Sequence, residues 1–256
     1  MSDQLVSLEI PAEGVAVLAV SNPPVNAMST PARQQLIAAM DQLQDRADVG
    51  AIVLTGSGRL FSAGADIKEK AALAGKEPAA ARAADRVTRD SFFCLLDSYK
   101  PIVAAVNGGA LGAGFVMAAC CDIILAAESA YFAMPEVDVG QGGGASYLQR
   151  IVPRQAMRYM LLTGLRVPAP ELYRLGAVHE CVPDDQLLTR AIDLASVIAR
   201  KSPTAIRAIR QSFGPVAELA LRDGSSLEQA YTSVLSRSPE AVEARRAFAA
   251  RRRESR

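Results

Sequence analysis

The chain has 256 residues, half of them hydrophobic and 21% charged, and a net charge of +1. That length fits one large domain, or one domain with a C-terminal subdomain, and supplies ample apolar material for a core. The near-neutral charge argues against a dedicated nucleic-acid or membrane partner, so any charge on a substrate has to be met locally.

The first twenty residues alternate (Val6, Leu8, Ile10, then Val15, Val17) around PAEG, which predicts a β-hairpin. SNPPVNA (21–27) contains Pro23 and Pro24 and can continue neither a strand nor a helix. A helix is expected next, with Thr30 as N-cap and Pro31 at its first position; Leu36, Ile37, Met40 and Leu43 share its apolar face. Three later segments resemble one another: AIVLTG (51–56) leads into RLFSAGADI, PIVAAVNG (101–108) into GALGAGF, and DIILAAES (122–129) into AYFAMPE. Each reads as an apolar strand, a tight turn, a short small-residue strand, and then a helix or loop. Such repetition predicts stacked β-β-α turns. The Ala-rich insert 71–85 reads as a mobile helical excursion. Beyond Gly140 the pattern is helical, with helices expected at 145–163, 169–175, 185–200, 203–213, 217–236 and 239–252. The fold class is therefore α/β or α+β.

Several familiar chemistries are excluded. In TGSGRLFSAG, Phe61 stands where a dinucleotide loop needs its third glycine, and neither a P-loop nor a GxSxG motif is present. His179 is the sole histidine and reads as a loop or strand residue. The cysteines Cys94, Cys120, Cys121 and Cys181 form no CxxC pair; they read as free, largely buried thiols in a reducing cytoplasm, with no metal site expected. MSDQLVSLEI lacks a basic n-region and is not read as a signal peptide. The apolar run 102–121 contains Asn107 and four glycines and is followed by Asp122, so it reads as a strand, turn and helix rather than a membrane span. Two glycine-bearing loops remain, FSAGADIKEK and GALGAGF. Their small residues allow either close ligand approach or tight strand stacking, and local sequence does not decide between them. Facing one another, the loops would offer two backbone N–H donors to one oxyanion, each worth roughly 3–4 kcal/mol.

NPPVNA, VLTGSGRLFSAGADIKE, PIVAAVNGGALGAG, CDIILAAESAYFAMPE, and LLTG followed by LYRLGAV together resemble the crotonase superfamily, the enoyl-CoA hydratase/isomerase family. The resemblance implies a spiral of β-β-α units in 1–195, a helical oligomerisation region in 196–256, and trimers or dimers of trimers. It implies oxyanion donors at the amides of Ala65 and Ala113, and Glu136 as proton-transfer acid or base. Ala63, Ala65 and Ile67 match the stretch that lines the CoA adenine pocket, while Arg59 and Lys68 lie where the family places cations near CoA phosphates. Gly143 and Gly144 match the turn that holds the reacting water or substrate. Asp66 and Asp138 are read as helix-capping or solvated residues.

One position departs from the pattern. Hydratases of this family carry a second glutamate three residues past the oxyanion donor, on the same helix face. Here that residue is Val116. One remaining carboxylate suits enoyl-CoA isomerisation; hydration, and decarboxylation or C–C hydrolysis of an acyl-CoA, are the alternatives. No cofactor is expected beyond the CoA that belongs to the substrate. A reading of another class is a non-catalytic CoA-ester or RNA-binding protein, with Arg251, Arg252 and Arg253 as its basic patch.

Overall fold

A computed structural model describes residues 4–73, 77–243 and 245–246. The N-terminal alternation forms the expected hairpin, β1 (Val6–Ala12) and β2 (Gly14–Val20), with a register shift between Glu9 and Ala12. Then follow α1 (Thr30–Gln44) and β3 (Val49–Gly56). The helix is capped one residue earlier than expected: Ser29, not Thr30, is extended and accepts the Ala32 amide. Either hydroxyl can serve as a cap, so the sequence left the choice open by one position. The insert contains two helices, α2 (Ile67–Leu73) and α3 (Pro78–Leu96), with 74–76 outside the described residues. Helix α3 packs on α1 and buries Phe92 and Leu95.

Two further turns repeat the pattern. Strands β4 (Ile102–Val106) and β5 (Gly109–Leu111) lead into α4 (Ala113–Ala119). Strands β6 (Ile123–Ala127) and β7 (Tyr131–Ala133) lead into a 3-10 turn over Pro135–Val139. After these come α5 (Ala145–Leu148), α6 (Arg154–Thr163), β8 (Val167–Pro168), α7 (Ala169–Arg174) and β9 (Glu180–Val182). The chain continues into α8 (Leu187–Ala199), α9 (Pro203–Glu218) and α10 (Leu221–Leu235). The single helix expected at 145–163 is two, because Pro153 takes an extended conformation and starts α6. Residues 239–243 are helical; the rest of the expected last helix, with Arg251, Arg252 and Arg253, lies outside the described residues apart from 245–246.

The large sheet has the order β1-β2-β3-β4-β6-β9, parallel from β2 onward, and the small one β5-β7-β8. Every residue of β4 is buried, as are all but one of β3. Strands covered on both faces need unbroken apolar sequence, which is why these segments do not alternate. Each turn places its first strand in the large sheet and its second in a neighbouring layer. After β3 that second strand is reduced to bridges, Ser62 with Ala110 and Met28 with Ala65. This is the spiral of β-β-α units expected from the sequence. Helix α8 packs on β2, β3 and β4 and buries Ala191 and Ala195, so residue 195 falls inside an element of the core.

Candidate active site

Residues 61–65 pass between the 25–28 loop and β5. On one side Met28 N donates to Gly64 O (2.7 Å) and Ala63 N to Val25 O (2.9 Å); on the other, Leu111 N donates to Ser62 O (2.9 Å). Asn26, buried and in the left-handed region (φ 53°), fastens the loops by donating to Ser57 O and Leu60 O (2.8 and 2.7 Å). Ser62 Oγ donates in turn to Asn26 O (2.7 Å). Gly64 makes the close approach possible. Its φ is +88°, and a Cβ there would lie 2.5 Å from Leu111 O and 3.1 Å from the Ala113 amide nitrogen. The Ala65 and Ala113 amides are therefore neighbours. Neither donates to a protein acceptor among the described residues. For Ala113 the reason is position: the first N–H groups of a helix have no intrahelical partner.

Glu136 sits in the 3-10 turn after β7, with its side chain against Gly112, the residue just before α4. A Cβ on Gly112 would stand 2.3 Å from Glu136 Oε1, and the φ of +51° there independently favours glycine. Glu136 Oε2 is buried without a hydrogen-bond partner. Burial pushes the Glu136 carboxyl above its ordinary range, offset in part by a backbone hydrogen bond and by the Lys70 ammonium. A proton acceptor with raised affinity thus lies one residue from the free Ala113 amide. Such a pair can remove a proton α to a carbonyl while the carbonyl oxygen takes up the charge.

Val116 is buried on the next turn of α4. Its Cγ2 would lie 3.2 Å from a Cβ on Gly144, and Met134 Cε would lie 2.5 Å from the same point. Val116 and Met134 thus meet at Gly144 in one apolar cluster. Gly143 is exposed, with open space where a side chain would go. Arg59, Ile67 and Lys68 are exposed and Ala63 is half-buried; Lys68 and Ile67 open α2, directly after Ala65 and Asp66. Asp66 caps that helix by accepting the Lys68 and Glu69 amides (2.9 and 3.1 Å). Two residues that sequence reading passed over also belong here. Lys70 Nζ donates to Gln141 Oε1 (2.7 Å), and Gln141 N donates to Glu136 O (2.9 Å). No short-range pattern could have found them, since 71 residues separate the pair. His179 lies beside β9, its amide bonded to Ile124 O (2.8 Å).

The enoyl-CoA hydratase/isomerase family model matches residues 11–255. The 2,3-dehydroadipyl-CoA hydratase of Escherichia coli is 33% identical, over 98% of this chain and 97% of its own. A (7aS)-7a-methyl-1,5-dioxo-2,3,5,6,7,7a-hexahydro-1H-indene-carboxyl-CoA hydrolase of Mycobacterium tuberculosis is 35% identical, over 93% of this chain and 96% of its own. The crystal structure of an enoyl-CoA hydratase from Bacillus anthracis superposes with a TM-score of 0.90 at 27% identity, covering 97% of both chains. The chain belongs to the enoyl-CoA hydratase/isomerase family of acyl-CoA enzymes, and its spiral is the crotonase fold.

Proposed function

We propose that this enzyme binds an acyl-CoA, stabilises its thioester enolate between the Ala65 and Ala113 amides, and moves one proton with Glu136. The observation that carries this reading is the pairing of two free amides with a single carboxylate, while buried Val116 occupies the next turn of α4. The reaction it supports best is isomerisation of a 3-enoyl-CoA to the 2-enoyl-CoA. Glu136 takes a proton from Cα, the electron pair delocalises onto the thioester oxygen held by the amides, and the same carboxyl returns the proton to Cγ. Atoms and charge balance with one acid/base group, and none is required at position 116. The apolar cluster of Val116 and Met134 suits a hydrocarbon acyl group. Arg59, Ala63, Ile67 and Lys68 are proposed as contacts for the CoA moiety, with Gly143 and Gly144 flanking the reacting carbons.

A second reading, hydrolysis of a C–C bond in a cyclic oxo-acyl-CoA, is favoured by the M. tuberculosis relative, whose name specifies a hydrolase. It uses the same enolate but requires Glu136 to activate water. Parallel assays with a 3-enoyl-CoA, a 2-enoyl-CoA and that dioxo-indene carboxyl-CoA separate the reactions. Isomerisation lost in Glu136→Gln supports the first reading; rapid hydration undiminished by that substitution overturns it. We also propose a homo-oligomer, a trimer or a dimer of trimers. Exposed Leu162, Leu221 and Val234 support this, and light scattering tests it.

A further inference from the structure

We infer that Lys70 is a positioning residue for Glu136, clasping through Gln141 the turn that carries the carboxyl group. The inference rests on Glu136 being the proton carrier. Helix α2 is a defined platform for such a clasp. Asp66 caps it, and Glu69 Oε2 accepts the Thr30 amide (2.7 Å), tying α2 to the start of α1. From that platform Lys70 Nζ reaches Gln141 Oε1 (2.7 Å), and the Gln141 amide holds Glu136 O (2.9 Å). Two consecutive hydrogen bonds therefore connect α2 to the backbone of the catalytic turn. The Lys70 ammonium makes no ion pair with a carboxylate among the described residues.

The Lys70 charge works on the carboxyl. Other charges lie on the same elements: Lys68 and Glu69 on α2, Asp138 on the turn itself, and Arg154 and Arg158 on α6, which packs against the turn. Among these groups, the Lys70 ammonium favours the ionised carboxyl and opposes the effect of burial. To accept a Cα proton the group must first be ionised, and a nearby cation favours the ionised form. With no second acid/base residue at position 116, the state of Glu136 governs the whole proton transfer. Lys70 thus contributes position through Gln141 and charge directly.

The two contributions separate experimentally. Lys70→Met, Lys70→Arg, Gln141→Ala and Glu136→Gln are compared in full-length protein, with circular dichroism checking the fold. The Glu136 carboxyl is followed by 13C NMR of glutamate-labelled protein and identified as the signal missing in Glu136→Gln. Lys70→Met is expected to raise its titration midpoint, because a cation that favours the ionised form is lost, and to move the acid limb of kcat/KM upward with it. Lys70→Arg is expected to restore the wild-type midpoint. Gln141→Ala is expected to leave the midpoint in place and lower kcat by about 2- to 12-fold, the effect of one hydrogen bond, with KM unchanged. An inactive Glu136→Gln beside wild-type behaviour of Lys70→Met and Gln141→Ala overturns this inference alone. A fully active Glu136→Gln overturns the proposed function and this inference with it.

Discussion

Glu136→Gln is expected to make the protein more stable while making it inactive, with a pH signature. In the wild type, Glu136 Oε2 is buried without a partner. A buried polar oxygen left unsatisfied costs about 1–3 kcal/mol, and more when it is charged. Part of the side chain still meets solvent, so the lower end, about 1 kcal/mol, applies. The sign follows from linkage. Burial raises the native carboxyl's pKa above its unfolded value of about 4.3. The native state therefore holds the proton more tightly, and stability declines as pH rises from the unfolded pKa through the folded one. Glutamine has no such titration. At pH 4 both proteins carry a neutral, nearly isosteric side chain and should melt together. By pH 8 the variant should melt about 2–4 °C higher, the shift expected for 1 kcal/mol in a chain of this size. Differential scanning calorimetry from pH 4 to 8, at one protomer concentration, measures this difference. A difference that is independent of pH, or a wild type more stable at pH 8, would refute the account of Glu136 as a desolvated carboxylate. In parallel, kcat should fall by about 10²–10⁴, the usual contribution of a positioned acid or base.

Val116→Glu should introduce hydration of a 2-enoyl-CoA at the expense of a few kcal/mol of stability, because a carboxylate enters a buried position. Absence of any hydration in a folded variant would show that more than one residue separates this site from a hydratase. Gly112→Ala should lower kcat strongly, since its Cβ would fall 2.3 Å from Glu136 Oε1. Gly176→Ala, at φ +81° with open space around it, is the control: it carries backbone strain of about 1–3 kcal/mol and should keep its activity. Equal losses of activity in the two would mean that strain, not the approach to Glu136, is responsible. Arg210→Met should cost about 3–5 kcal/mol by denaturant unfolding. Arg210 Nε pairs with Asp122 Oδ2 (2.9 Å), and the guanidinium also donates to Leu95 O (2.7 Å), Leu96 O (3.0 Å) and Ser98 O. An unchanged denaturation midpoint would show that α9 is held by other contacts.

What the sequence made legible follows the range of the interactions involved. The hairpin, the buried strands β3, β4 and β6, and the β-β-α repetition depend on patterns spanning fewer than about ten residues, where periodicity and turn chemistry act. The ordered motifs carried the family, and the structure gives them physical content: Asn26 of NPPVNA binds the loop that contains FSAGAD. The misses were local competitions between similar groups, Ser29 over Thr30 as cap and Pro153 dividing an otherwise helical run. Out of reach were pairings with no local signature. Lys70 and Gln141 are 71 residues apart, and Arg210 and Asp122 are 88 apart. The two halves of GALGAGFVM divide along the same line. Gly112 and Ala113 have their meaning only opposite Gly64 and Glu136, which the spiral supplies from other turns. Val116, by contrast, carries its message in the sequence alone: an aliphatic side chain there can carry no proton, so under the proposed function the transfer depends on Glu136, and the two hydrogen bonds leading from Lys70 through Gln141 bear on the position of that carboxyl.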